Sequence, residues 1–175
     1  TSGFDGAPCL TADDLELYFY SERPGALEEG SYLWISKRAT RDDEWGEPVN
    51  FGPIFLNGEV QYGTSPCLSS DGLELYFDVW RGPQAGIDLG MISRPSVSDP
   101  WGEPVNLGPI VNMNGSSDNY NAALSSDGRM LFFNSNRPGG QGGYDLWLTR
   151  RATPDDDWGQ PVNLGPRVNT FTTEA

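Results

Sequence analysis

The sequence contains no histidine and only two cysteines in 175 residues. Without histidine, Ser-His-Asp and Cys-His catalysis and histidine-ligated zinc or iron sites are excluded, and two cysteines do not form a structural zinc site unaided. Cys9 and Cys67 occupy the same position in successive sequence repeats, where the third copy has Ala123. Because a small apolar slot suits all three residues, we expect free, buried thiols rather than a disulfide.

Positive charge and long apolar runs are also scarce. The 11 Lys and Arg residues against 25 Asp and Glu residues give an acidic chain with a net charge of −14, which repels nucleic-acid phosphates and anionic lipids. No segment approaches the ~20 apolar residues that span a bilayer, so the sequence predicts no membrane insertion. The chain begins at Thr1 without a signal-like segment, which fits a mature or excised piece.

Turn-forming and aromatic residues are abundant. The chain has 22 Gly, 14 Pro and 12% aromatic residues. That aromatic content is too high for disorder, and the turn formers are too many for a helical bundle. The composition therefore predicts an all-β protein.

One phrase occurs three times in the chain. "WGEPVNLGPIVN" begins at Trp101, and near-copies begin at Trp45 and Trp158, 56 residues before it and 57 residues after it. A second phrase, "SPCLSSDGLELYF" in the middle copy, keeps the same spacing. This internal repeat predicts a single domain over residues 1–175, built of units at approximately 1–57, 58–113 and 114–175.

Each unit is predicted to be a four-stranded antiparallel meander, because short apolar runs alternate with turn signals. In the third unit, the four strands should lie near 121–124, 130–135, 144–150 and 161–164. No face of the second strand is fully polar, so both faces must be covered, as in blades around a propeller axis. Pro161 lacks an N–H, which places the fourth strand at the outer edge.

The third unit, "LSSDG…LFFNSNRPGGQGGYDLW…WGQPVNLG", resembles the blade repeat of TolB-type β-propellers, with its Ser-x-Asp-Gly turn, Arg-Pro-Gly-Gly loop and Asp-Leu-Trp strand. The second unit departs from this pattern at Gly90, and the first at Tyr32. The resemblance implies a non-enzymatic binding or interaction module with loops on one rim that bind a protein or ligand. It also implies a bacterial extracytoplasmic location, which is periplasmic, secreted or on the cell surface.

Three blades are fewer than the four to eight that close known propellers. An open arc leaves one apolar sheet face bare at each end, an arrangement that monomers rarely tolerate. We therefore expect an incomplete ring that is completed in one of two ways. Either a second chain forms a homodimer with six blades, or further blades of a longer chain close the circle.

The loops that follow each second strand should share a rim with the linkers between units. Variable loops on a rigid scaffold are where binding usually occurs, and an envelope protein or a glycan is the expected partner. Arginines recur at one position in each unit, where a structural ion pair with Asp88 or Asp145 competes with a role in binding. The candidate binding residues on this rim are Tyr62, Trp80, Arg81, Asp118, Asn119, Tyr120 and Arg137.

The opposite rim should carry acidic loops. A calcium ion there is a minor alternative to simple solvated turns, because the spacing does not match a dedicated calcium loop. We therefore expect no cofactor. Since the chain has no histidine, we also expect no catalytic residue. Glycoside hydrolysis is the one plausible enzyme class, and a carbohydrate-active propeller or a self-assembling structural repeat protein is the alternative function. The acidic residues are Asp42, Asp43, Glu44, Asp99, Asp155, Asp156 and Asp157.

Overall fold

A computed structural model describes residues 3–25, 32–56, 58–83, 85–113, 115 and 117–171. These residues form three four-stranded antiparallel sheets, one two-stranded hairpin and a single helical turn. The prediction of an all-β chain of three four-stranded blades is therefore confirmed.

Each sheet takes its strands from one sequence repeat, in the order of the chain. The first contains β1 (Asp5–Leu10), β2 (Glu16–Ser21), β3 (Leu33–Lys37) and β4 (Val49–Asn50). The second contains β7 (Gly63–Leu68), β8 (Glu74–Trp80), β9 (Ile87–Ser93) and β10 (Val105–Asn106). The third contains β11 (Asn119–Leu124), β12 (Met130–Ser135), β13 (Asp145–Arg150) and β14 (Val162–Asn163).

The linkers between the blades carry structure that the sequence analysis did not predict. A hairpin of β5 (Ile54–Leu56) and β6 (Glu59–Gln61) follows the first blade, and its Ile54 is fully buried. The helical turn α1 (Gly108–Val111) follows the second blade and buries Val111. These short elements close the gaps between neighbouring sheets with apolar side chains.

The turn between the first two strands is the same in every blade. Asp14, Gly72 and Gly128 have positive φ angles of 62°, 72° and 68°, a conformation that glycine and aspartate tolerate better than most residues. The preceding aspartate stabilises each turn with its carboxylate; Asp127 Oδ1, for example, accepts the Arg129 N–H at 3.1 Å. The Asp-Gly signal in the sequence therefore places the turns correctly.

Every innermost strand is interrupted by a β-bulge at one repeated position. Ala7, Ser65 and Asn121 have φ angles of 49°, 49° and 56°, and the register of each first strand shifts around them. A left-handed conformation is uncommon for residues other than glycine. Its recurrence in three blades shows that the inner strand must bend there.

The blades stack side by side, with a hydrophobic core in each gap. The core between the first and second blades includes Tyr18, Leu33 and Phe77, which are buried. The core between the second and third blades includes Tyr76 and Phe133. Neighbouring residues of β8 thus belong to different cores, so this strand is covered on both faces as its sequence predicts.

A repeated joint holds each blade to the one before it. The Trp101 ring contacts the Tyr18 ring edge-on, with 6.3 Å between the ring centroids. The Trp158 ring contacts the Tyr76 ring in the same way, with 6.4 Å between the centroids. The thiol of Cys67 also accepts the backbone N–H of Leu124 in the next blade, at 3.4 Å. Both cysteines are free, as predicted, although they are half-buried rather than fully buried.

The joint is incomplete at the ends of the arc. Trp45, the first-blade counterpart of Trp158, is 38% exposed, whereas Trp158 is 8% exposed. Within the chain, the first and third blades each pack on the second blade, which leaves one sheet face at each end without a neighbouring blade in the described residues.

Candidate functional site

The loop-rich rim carries a row of aromatic rings that passes from the first blade to the second. Its centroid distances are 5.9 Å from Phe4 to Tyr20, 5.7 Å from Tyr20 to Tyr32, 5.1 Å from Tyr32 to Tyr62 and 6.4 Å from Tyr62 to Trp80. Such spacings are typical of aromatic pairs that stabilise one another. Trp80 is 48% exposed at the end of the row.

Four of these rings, all except Phe4, line an open cavity of about 440 Å³. Thr64 and Asp78 add polar side chains to the lining, at positions directly opposite each other in the register of β7 and β8. Apolar pockets with a few convergent polar groups are the usual form of a ligand site. The lining residues are Tyr20, Tyr32, Tyr62, Thr64, Asp78, Trp80 and Ile87.

Asp78 is the chemically unusual group of the cavity, because its carboxyl is buried, with 5% of the residue exposed. Its Oδ1 accepts the backbone N–H of Asn121 at 2.9 Å, a group that the β-bulge of the third blade aims at it. Burial raises the pKa of Asp78 to about 7, although the Ser65 side chain and the Asn121 N–H act in the opposite direction. The carboxyl is thus poised between its neutral and charged forms near neutral pH.

The repeat shows that blade folding does not require this set of residues. The position of Asp78 is held by Tyr20 in the first blade and by Asn134 in the third, according to the strand registers. By contrast, the aspartates of the first turn and the "PVN" sequence of the fourth strand recur in every copy. The scaffold is therefore constant, while the rim ends of the first two strands differ from blade to blade.

Asp118 and Tyr120 lie beside this cavity on the third blade. Asp118 accepts the Ile87 N–H at 2.9 Å and the Tyr144 hydroxyl at 2.6 Å, and the latter bond raises the pKa of Tyr144 to about 12. The Tyr120 ring meets the Tyr144 ring at 5.2 Å. Asp118 thereby ties the third blade to Ile87 in the cavity wall.

Asn119 and Arg137 lie in the interior and do not line the cavity. The Asn119 Oδ1 accepts a hydrogen bond from Arg137 Nη2 at 2.6 Å and another from the Ser135 hydroxyl at 2.9 Å. The Arg137 guanidinium is sandwiched between the rings of Phe133 and Trp147, and burial lowers its pKa to about 10. Both residues act in holding the rim loops together.

The expected ion pairs of the repeated arginines are present in one case. Arg81 Nε lies 2.9 Å from Asp88 Oδ2, and the guanidinium also reaches the backbone carbonyl of Gly115 at 3.3 Å. Arg137, however, does not pair with Asp145, because that carboxylate accepts the Asn163 amide at 2.9 Å instead. That expectation is wrong for the third blade.

The acidic loops on the opposite rim use their carboxylates to close their own turns. Asp43 Oδ2 accepts the N–H and the hydroxyl of Thr40, each at 2.8 Å, and Asp156 does the same with Thr153. Within the described ranges, no group of three or more His, Cys, Asp or Glu residues is arranged to hold a metal ion.

Sequence reasoning found Tyr62, Trp80, Asp118 and Tyr120 on this rim but missed Asp78. The signal was present, since Asp78 interrupts the apolar run "LYFDVW" in a strand that is buried on both faces. A lone acidic residue in such a strand must be either partnered or functional.

The fold of the chain is similar to parts of several larger propellers. TolB from Acinetobacter baumannii matches with a TM-score of 0.54 and 14% identity, over 94% of this chain and 33% of that one. A Hadza microbial sialidase has a TM-score of 0.54 and 11% identity, over 89% and 36% of the two chains. The Trypanosoma rangeli sialidase in complex with the inhibitor DANA has a TM-score of 0.52 and 13% identity, over 89% and 30%.

The chain thus spans about a third of the length of these structures. No family model matches the sequence, and no curated protein matches it either. No helix in the described part of the chain is long and apolar enough to cross a membrane. The class that the fold defines is an incomplete β-propeller of three blades, which resembles a part of TolB and of the two sialidases.

Proposed function

We propose that this chain is a non-enzymatic binding module, and that it binds its ligand or partner in the aromatic cavity of the loop-rich rim. The observation that carries the proposal is the set of aromatic rings around Asp78. The folding of the repeated blades does not require this set, and Trp80 at one end of it is exposed. Exposed aromatic side chains on a rigid scaffold supply large contact areas at a low entropy cost.

An enzymatic role has less support. Glycoside hydrolysis commonly requires two carboxyl groups on either side of the scissile bond, whereas Asp78 alone among the described lining residues carries one. The chain has no histidine that would serve as a general base. Glycan binding without hydrolysis remains the second candidate function, because the exposed ring of Trp80 is a surface on which a sugar ring would stack.

The experiment is a binding screen on the full chain and on a Trp80→Ala variant, with Val97→Ala as the control for the loss of an exposed apolar side chain on the opposite rim. Proteins, glycans and small ligands are offered, and glycan hydrolysis is followed in parallel. We expect binding that Trp80→Ala weakens and Val97→Ala does not, and no hydrolysis. Glycan turnover by the chain, lost on Asp78→Asn, would contradict a purely binding role.

We also propose that the bare end faces are covered, either by a second copy of the chain in a six-bladed ring or by further blades of a longer chain. The support is the unfilled joint, at which Trp45 has no neighbouring aromatic ring among the described residues, unlike Trp101 and Trp158. Light scattering across concentrations tests this: self-pairing predicts twice the 19.2 kDa mass of one chain. A strictly monomeric chain rules out the homodimer.

The extracytoplasmic location stays a prediction, to be checked by cell fractionation.

A further inference from the structure

We propose that the rim cavity takes an organic cation of the alkylammonium class, which its aromatic rings contact while Asp78 supplies the opposite charge. The proposal rests on the binding function proposed above and adds the chemical class of the ligand. Aromatic faces are the usual means by which proteins bind quaternary ammonium groups, and a carboxylate beside them adds an attractive charge.

The charges around the cavity favour a cation. None of its described lining residues is Lys or Arg, and the undescribed residues of the chain contain neither residue type. The nearest arginines in the sequence are already engaged, since Arg23 pairs with Asp5 at 3.0 Å and Arg81 pairs with Asp88 at 2.9 Å. An anionic ligand would find no free positive partner there, in a chain whose net charge is −14.

The orientation of the rings favours a compact ligand over a flat one. The planes of Tyr20 and Tyr32 differ by 75°, those of Tyr32 and Tyr62 by 17°, and those of Tyr62 and Trp80 by 49°. The rings therefore do not share one plane. Rings at different angles suit contact with one rounded cation, whereas the stacking of a sugar ring requires one flat, open face.

Asp78 gives the cavity its charge. Its carboxyl is buried, and the described bond to Oδ1 comes from the neutral Asn121 N–H rather than from a cation. Burial without a cationic partner is what raises its pKa. An ammonium group in the cavity would supply that partner. A second carboxylate stands nearby, because Glu22 Oε1 accepts the Tyr20 hydroxyl at 2.6 Å.

The test is a titration of the full chain with choline and, separately, with its neutral isostere, in which a quaternary carbon replaces the nitrogen. Binding is followed by the NMR signals of the tryptophan indole N–H groups, with the Trp80 signal assigned from Trp80→Phe. We expect choline to shift the Trp80 signal and to bind about fivefold or more tightly than the isostere. Equal binding of the two compounds would overturn the proposal, as would no binding of choline.

Asp78→Asn is the informative variant, because asparagine keeps the shape and the acceptor for the Asn121 N–H. We expect it to weaken choline binding by about fivefold or more and to leave binding of the isostere unchanged. Asp155→Asn removes one charge from the exposed opposite rim and should leave both affinities unchanged. If both variants weaken choline binding equally, the effect is one of net charge, and the assignment to Asp78 fails.

Further measurements distinguish the possible sources of the cation, and they distinguish the cation proposal from the binding function proposed above. A short peptide with a trimethylated lysine distinguishes a protein partner from a small amine. If a neutral oligosaccharide shifts the Trp80 signal and no cation does, the cation is wrong while the rim is still a binding surface. If Trp80→Ala leaves the binding of every ligand found in the screen unaffected, the rim itself is not the site.

Discussion

The buried ion pair between Glu74 and Arg151 joins the second blade to the third and yields a quantitative expectation for Glu74→Gln. The Arg151 guanidinium donates to both carboxylate oxygens, at 3.2 and 2.7 Å. It lies 4.4 Å above the Trp158 ring, and only 5% of its side chain is exposed. Loss of the carboxylate charge would leave this guanidinium buried without a counter-ion.

The cost follows from burial. Removal of one partner of a buried ion pair destabilises a protein by roughly 3–5 kcal/mol. The side chain of Glu74 is 18% exposed, so water reaches it, and glutamine keeps one acceptor oxygen. We therefore expect Glu74→Gln to lower the free energy of unfolding by about 2 kcal/mol.

The first blade provides a matched control. Glu16 occupies the same repeat position and also accepts the hydroxyl of the tyrosine two residues later, at 2.9 Å. Its ion pair is made with Lys37, which is exposed and belongs to the same sheet. Because exposed pairs are worth little, Glu16→Gln should cost less than about 1 kcal/mol.

Urea unfolding followed by tryptophan fluorescence measures both values, with circular dichroism as the check that each variant is folded. A double-mutant cycle with Arg151→Met isolates the energy of the pair itself. If Glu16→Gln costs as much as Glu74→Gln, or if the cycle gives no coupling, then the joint between blades does not depend on this pair.

Three further changes test the blade geometry and the cavity. Because burial raises the pKa of Asp78 to about 7 in the folded chain, above its ordinary 3.8, its carboxyl lowers stability as the pH rises through that interval. Asp78→Asn should therefore leave unfolding unchanged below about pH 4 and stabilise the chain by up to about 4 kcal/mol above pH 7; the same gain at all pH values would contradict this. Gly90→Ala should cost about 1–3 kcal/mol in denaturant unfolding, since a Cβ there would lie 2.7 Å from the Phe77 ring; a neutral effect would show that the sheet has room. Trp158→Ala should cost about 3–5 kcal/mol by the same assay, whereas the exposed edge residue Val49→Ala should change little, and equal effects would refute the packing of the joint.

The fold was predictable because its signals are local and occur three times. Asp127-Gly128 fixes a hairpin wherever it appears, and Pro161 marks an edge strand, so a single unit defines the blade and the copies confirm it. Gly90 stands where the other blades have tryptophan, and the structure gives the reason, since the side chains of Phe77 and Val79 fill that space.

The cavity was predictable only in part because it is assembled across blades. Tyr32 and Tyr62 are separated by two strands and a hairpin, and nothing in either local sequence indicates that their rings stack. The β-bulge at Asn121 has no sequence signature either, because Ala7 and Ser65 adopt the same conformation. The bulge nevertheless decides which N–H group meets Asp78.

The central claim is that the three sheets stack in sequence around one axis, with the first and the third sheet each packed on the second in the described residues. Nuclear Overhauser contacts between aromatic rings in the monomeric chain test it most directly. The structure requires contacts from Trp101 to Tyr18 and from Trp158 to Tyr76. Within one chain it requires none from Trp45 to Phe132, which is the third-blade counterpart of these two tyrosines. The absence of the first two contacts, or a contact between the first and third sheets through Trp45 and Phe132, would contradict the stacked arc.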